Sequence, residues 1–186
     1  MDLSKYCIDE SRASKEIKKI FSNYEEGKLP LHEVARRIAK VEKVPILVLV
    51  DNETIRMING IMDMGIPDES TAIRESIYYV ASIVNPLAGE VEVGDRRYIL
   101  SAEIPGNAYA LLLDLSLIRK EPVHRTLKWI LMEFYKREVS TFKYEFVECP
   151  ILGRKIFAES CLTCDYVLRC PKAKEIAPVE IKLPKG

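Results

Sequence analysis

The sequence predicts an α+β fold, and three observations lead to that prediction. Apolar residues recur at helical spacing through most of residues 12–84 and again over 122–138. Short β-branched or alternating runs at 44–50, 90–103 and 141–148 are typical of strands. Four of the five cysteines lie close together near the C-terminus, which indicates a small metal-stabilised segment and not a disulfide framework.

These patterns divide the chain into four consecutive parts. We expect an N-terminal helical arm, a strand–helix–helix unit, an α+β region and a four-cysteine metal segment with a tail. Their predicted boundaries are 1–43, 44–85, 86–148 and 149–186.

The helical arm and the strand–helix–helix unit have clear boundary signals. A helix over 12–26 ends at Gly27, and Pro30 begins a second helix that continues to residue 43. A strand over 44–50 follows. Asp51 or Asn52 caps the next helix, which Gly65 ends, and Ser70 caps a helix that Asn85 and Pro86 close.

The α+β region has weaker signals. Alternation around Gly94 and Asp95 predicts a β-hairpin over 90–103, and the apolar run AYALLLDLSLI at 108–118 predicts a buried strand. Pro122 begins a helix that reaches about Glu138, and an alternating strand leads into the cysteines.

Composition excludes several classes of protein. The chain has 186 residues, and 28 basic residues balance 28 acidic residues, so a generic polyanion-binding protein is not expected, although a local basic surface is. No apolar run suits a membrane span or a secretory signal, so we expect a cytoplasmic protein without a membrane partner. Abundant charges and the absence of glutamine are thermophile-like.

The string VDNETIRMINGIMDMGIPDESTAIRESI, residues 50–77, resembles the ribbon-helix-helix family of repressors, the CopG/MetJ/Arc type. The matching features are Asp51 after the strand, an apolar repeat, Gly65-Ile66, and a Ser-x-Ala-Ile-Arg-Glu stretch that begins at Ser70. A lone strand has two unpaired edges, so two copies of residues 44–50 are expected to pair in a homodimer.

The resemblance implies a mode of DNA binding. Paired strands enter the major groove, and the backbone amides of Ser70 and Thr71 hold a phosphate. Ile46, Val48 and Val50 would face inward. The outward, base-contacting residues would be Pro45, Leu47 and Leu49.

The outward strand residues depart from the family pattern. Proline and leucine cannot form hydrogen bonds with base edges, so either the strand is covered or the unit has become a dimerisation device without DNA recognition. A basic face on the second helix could still contact phosphates, or it could simply be solvated; its members are Arg36, Arg37, Lys40 and Lys43.

The cysteine segment predicts a structural zinc site. Four thiolates suit tetrahedral zinc, and they belong to Cys149, Cys161, Cys164 and Cys170. A 4Fe–4S cluster is the alternative, because proline follows the first and last of these cysteines and part of the spacing resembles the iron–sulfur clamp of CRISPR-associated and helicase-linked exonucleases. In that alternative Cys7 is the distant fourth ligand.

The nuclease alternative also needs a metal-binding Asp and a Glu-x-Lys between the cysteines. Asp95 is available, but Ile-Pro follows Glu103, and Glu180-Ile181-Lys182 lies after the last cysteine. His32 and His124 are far apart, and no phosphate-binding loop or nucleophile elbow occurs. We therefore predict no enzyme and no small-molecule substrate.

The function expected from the sequence is a dimeric ribbon-helix-helix-like transcriptional regulator with a structural metal site. Two alternatives stay open. One is a protein-interaction or assembly module that no longer recognises DNA and buries Leu47 and Leu49 in a partner. The other is an iron–sulfur nuclease-like protein.

Overall fold

The computed structural model describes residues 2–96, 98–139, 146–151 and 153–157. Two compact units are present, Met1–Thr141 and Phe142–Gly186. The first contains α1 (Lys15–Glu25), α2 (Leu31–Ile38), β1 (Val44–Val50), α3 (Asn52–Met62), α4 (Glu69–Ile83), β2 (Tyr98–Ile104), α5 (Gly106–Arg119) and α6 (Val123–Phe134). The mixture of helices with a small antiparallel sheet confirms the α+β class.

β1 and β2 form an antiparallel pair in which Val44 lies opposite Ile104 and Val50 opposite Tyr98. One face of the pair carries apolar side chains into the core, because alternate residues of a strand point to the same side. On β1 these are Ile46, Val48 and Val50, as the alternation predicts. The sheet is thus one wall of the core.

The helices supply the rest of the core. α4 packs against α5 and α6, α2 packs against α5, and α1 packs against α2. Trp129 of α6, Tyr109 of α5 and Phe21 of α1 are fully buried. The Trp129 indole still donates a hydrogen bond to the Ala88 carbonyl at 2.9 Å, so its burial leaves no unsatisfied donor.

The boundaries expected for the first half are confirmed in part. The first helix begins at Lys15, not at residue 12, and the second ends at Ile38, not at residue 43. α1 ends just before Gly27, whose φ is +70°, and β1 has the predicted limits. Asp51 caps α3 by accepting a hydrogen bond from the Thr54 amide. Ser70 does not cap α4, however. Asp68 does so, and the helix begins at Glu69.

The strand expected at 108–118 is wrong, because this run lies in helix α5. A continuous apolar run has the same periodicity in a buried strand and in a buried helix. Its length of 11 residues and its alanine and leucine content favour the helix. α5 is buried on most sides, which is why its sequence lacks a polar face.

The hairpin expected at 90–103 is also wrong. Only its second half forms a strand, β2, and that strand pairs with β1. Residues 91–96 have no regular structure, since side chains occupy their backbone groups. Arg125 donates to the Val91 carbonyl, Lys128 donates to the Glu92 carbonyl, and the Gly94 amide donates to Asp51.

The second unit, where it is described, is a short antiparallel hairpin of β3 (Phe146–Cys149) and β4 (Arg154–Phe157). The first five residues of the predicted strand at 141–148 lie outside the described residues. Within the described ranges, every helix is too short or too polar to cross a membrane.

Gly106, at the start of α5, has no room for a side chain. A Cβ there would lie 2.1 Å from the Ile38 carbonyl oxygen and 2.3 Å from that of Val41. We expect Gly106→Ala to destabilise the protein by about 1–3 kcal/mol, because backbone atoms must move. Chemical denaturation measures this loss. Gly60→Ala is the matched control, since its added Cβ meets only the movable ring of Tyr135, and an equal loss in both variants would contradict the prediction.

Candidate functional site

The outer face of the β1–β2 sheet is apolar and exposed. Leu47 and Leu49 are 40% and 51% exposed, and Ile99, opposite Leu49, is 69% exposed. Ser101 lies opposite Leu47 on the same face. Pro45 was expected to be exposed as well, but it is buried, and its carbonyl accepts a hydrogen bond from the Asp9 amide at 3.0 Å.

β1 has backbone hydrogen bonds on both edges. One edge pairs with β2, and on the other the Leu47 amide donates to the Cys7 carbonyl at 3.0 Å. Ile8 and Ile46 form a β-bridge there. The expected pairing of β1 with a second copy of itself is therefore not the pairing that this structure has, although the strand–helix–helix order of the resemblance is present.

β2 has an edge that faces away from β1. The bond from the Leu47 amide to Cys7 means that odd-numbered residues of β1, and the residues opposite them on β2, point their backbone groups outward. The Glu103 amide agrees, since it donates to Ser70 Oγ at 2.9 Å. Ile99 and Ser101 also point outward, and among the described residues no third strand pairs with them.

A buried ion pair fixes the end of β1. Lys128 Nζ lies 2.7 Å from Asp51 Oδ2, and both side chains are almost completely buried. The ammonium also donates to Glu53 Oε2 and to the Glu92 carbonyl, each at 2.6 Å, so all three of its hydrogens have acceptors. Asp51 accepts further bonds from Thr54 and Gly94.

The hydrogen bonds of this pair have a larger combined effect on the two pKa values than burial has. Burial alone would raise the pKa of Asp51, but the bonds from Lys128, Thr54 and Gly94 hold that pKa well below its usual range. Burial alone would lower the pKa of Lys128, and its bonds to Asp51 and Glu53 raise it instead. Both groups are therefore charged at neutral pH.

A cavity of about 350 Å³ is lined by residues of both β1 and β2. Leu47, Leu49 and Ile99 form its apolar wall, and Arg96 and His124 supply its basic groups. Cys7 also lines it. Its φ of 58° is left-handed, a conformation that accompanies the bond between its carbonyl and β1, and burial raises the pKa of its thiol to about 12.

Some residues of the predicted basic face form ion pairs with acidic side chains. Arg36 and Arg37 are both within salt-bridge distance of Glu33, at 3.4 and 3.1 Å. Lys43 lies 4.0 Å from Glu103, whose carboxylate also pairs with Arg12. Lys40 is exposed. These residues retain net positive charge on the surface, but acidic neighbours reduce it.

The predicted phosphate clamp is occupied by a carboxylate. Thr71 donates its amide hydrogen to Asp68 Oδ1 at 2.7 Å, and Ser70 uses its hydroxyl to accept from β2. The bond from Thr71 keeps the pKa of Asp68 below its usual value. A phosphate at this helix terminus would have to displace that negative side chain.

Of the predicted metal ligands, only Cys149 lies in the described part of the chain, where it is buried at the end of β3. Cys161, Cys164 and Cys170 lie outside it, as do Glu180 and Lys182. Within the described ranges, no three potential His, Cys, Asp or Glu ligands converge on one point. The zinc site and its iron–sulfur alternative therefore stay predictions.

Several residues of the site have weak or no signals in the sequence. Lys128 lies on the apolar side of an amphipathic helix. A lysine at such a position indicates a buried ion pair, because a buried lysine needs an acidic partner. Arg96 and His124 gave no such signal, since only the folded chain brings them to the same cavity as Cys7.

Comparisons with protein-family models, curated proteins and solved structures found no match.

We expect Lys128→Met to reduce the free energy of unfolding by about 3–5 kcal/mol at pH 7, because Asp51 is left buried without its counter-ion. Urea denaturation measures the loss. Lys19→Met, which changes an exposed lysine of α1, is the matched control and should shift stability by at most about 0.5 kcal/mol.

The loss of unfolding free energy in Lys128→Met should depend on pH. A carboxyl with a lowered pKa stabilises the fold above its unfolded pKa of about 3.9, and that contribution disappears as pH falls through the folded value. In the variant Asp51 can take up a proton, so the difference between wild type and Lys128→Met should shrink below about pH 4. An unchanged difference between pH 7 and pH 3 would contradict this role of the pair.

Proposed function

We propose that the chain is a dimeric protein-interaction module in which β2 pairs with β2 of a second copy. The observation that carries this proposal is the outward edge at Ile99 and Ser101, which borders the exposed apolar face of the sheet. An edge of this kind is a template for another strand unless it is covered. A two-stranded sheet also gains stability from further strands.

The geometry suggests one symmetric register. The Glu103 amide already donates a hydrogen bond to the Ser70 hydroxyl. The stretch of β2 that can pair with another strand is therefore centred on Leu100. A two-fold axis there places Ile99 opposite Ser101 of the second copy and forms four new backbone hydrogen bonds. The result is a four-stranded sheet that continues the outer apolar face across both copies.

This proposal keeps the homodimer predicted from the sequence and changes the strand that forms it. It also follows the alternative in which the unit no longer recognises DNA. Three observations support that choice over a DNA-binding regulator: the outer face is leucine and isoleucine, Arg36 and Arg37 have an acidic neighbour, and the Thr71 amide has a carboxylate partner.

We expect the wild-type protein to be a dimer in light scattering at micromolar concentration, and Ser101→Pro to be a monomer. Proline removes the outward amide hydrogen without touching the bonds between β1 and β2. Ser101→Ala is the matched control, because it keeps that amide and should remain a dimer.

A wild-type monomer would overturn the proposal, as would a Ser101→Pro variant that remains fully dimeric. Fluorescence anisotropy with duplex DNA tests the regulator. Binding that weakens steeply as salt rises would favour a DNA-binding regulator over a pure interaction module.

The proposed module also includes the zinc site predicted from the cysteine segment, which is tested separately from the dimer. Elemental analysis should find about one zinc ion per chain, and the absorbance spectrum should have no band at about 400 nm. Cys149→Ser should lower the zinc content. Cys7→Ser should not, whereas the iron–sulfur nuclease alternative requires Cys7 as a ligand, so iron with loss of the cluster in Cys7→Ser would contradict the zinc prediction.

A further inference from the structure

The cavity beside β1 has the size and the lining of a small-molecule site. Its volume of about 350 Å³ falls within the range of about 300–1,000 Å³ that is common for ligand pockets. The turn at Ser4 and Cys7, strands β1 and β2, the loop at Arg96 and the start of α6 line it. These elements are distant in sequence, so the cavity exists only in the folded protein.

The lining is mostly apolar and contains one cationic side chain. Leu47, Leu49 and Ile99 present aliphatic side chains that are more than one-third exposed to solvent. Arg96 is exposed, and the hydrogen bonds and ion pairs found among the described residues do not include it. A guanidinium without an anion at the rim of an apolar cavity is complementary to a ligand that has an apolar body and one negative charge.

The other polar groups of the cavity are neutral. Burial and the nearby guanidinium groups of Arg96 and Arg125 lower the pKa of His124, so its imidazole is uncharged at neutral pH. Burial keeps the Cys7 thiol protonated. His124 can therefore donate or accept one hydrogen bond, and Arg96 supplies the single positive charge of the lining.

We infer that this cavity binds a small organic monocarboxylate with an aliphatic or aromatic body. The carboxylate forms a two-pronged ion pair with Arg96 and accepts a hydrogen bond from the N–H of His124, and the apolar body lies against Leu47, Leu49 and Ile99. This goes beyond the dimeric module. Ile99 borders both features, but the carboxylate is held by Arg96 and His124, which lie outside the pairing stretch of β2.

The lining also excludes other ligand classes. A phosphate carries close to two charges and is strongly hydrated, so one arginine in an apolar cavity matches it poorly. An alkyl ammonium ion would meet Arg96 with a like charge. An uncharged alcohol of the same length would occupy the apolar wall and leave the guanidinium without an acceptor.

Isothermal titration calorimetry with sodium octanoate tests the inference on the full-length protein. We expect a dissociation constant of about 1 mM or tighter for the wild type, a range accessible to a ligand of this size. Arg96→Met should weaken binding at least about tenfold, since it removes the charged hydrogen bonds. Octylamine and inorganic phosphate should not bind, and 1-octanol should bind at least about tenfold more weakly.

Two further variants locate the site. Leu49→Glu places a like charge on an exposed cavity wall and should also weaken octanoate binding, whereas Lys19→Met removes a distant positive charge and should leave it unchanged. No octanoate binding, equal binding of 1-octanol, or full affinity in Arg96→Met would overturn the inference. Light scattering on the same samples reports the dimer separately, so failure of one proposal is distinguishable from failure of the other.

Discussion

The contact between Lys128 and Asp51 connects parts of the chain that sequence order keeps apart. It joins the end of β1, the first turn of α3, the loop before β2 and the middle of α6. Two buried charges are costly, and each is tolerated only because every hydrogen-bonding position around it is used. The position of β1 relative to α6 therefore depends on this pair, and so does the shape of the cavity between them.

The sheet shows how the two faces and the two edges of one small element acquire different roles. Its inner face, with Ile46 and Val48, belongs to the core. Its outer face remains apolar although solvent reaches it. The N-terminal segment covers one edge over Pro45–Leu47, and the other edge is open at Ile99 and Ser101. A surface that combines open backbone groups with apolar side chains suits association better than it suits contact with a phosphate backbone.

Short sequence patterns predict those helix and strand boundaries that depend on neighbouring residues. The limits of β1 and the Asp51 cap of α3 follow from residues within one turn of each boundary. α5 was mistaken for a strand, because burial on most sides removes the periodicity that distinguishes the two structures. The sequence has no signal for the cavity, since Arg96 and His124 become neighbours only when α6 packs in the folded chain. No local pattern records that packing.

The pairing of β1 with β2 has a consequence for the order in which the chain can fold during synthesis. β1 leaves the ribosome before α3 and α4, while the strand that completes its ladder follows those two helices. During that interval β2 cannot yet pair with the seven residues VPILVLV, whereas Ile8, the bridge partner of Ile46, precedes them in the chain. The bridge from Ile8 to Ile46 covers part of one β1 edge with residues made earlier, so covering that edge does not require β2.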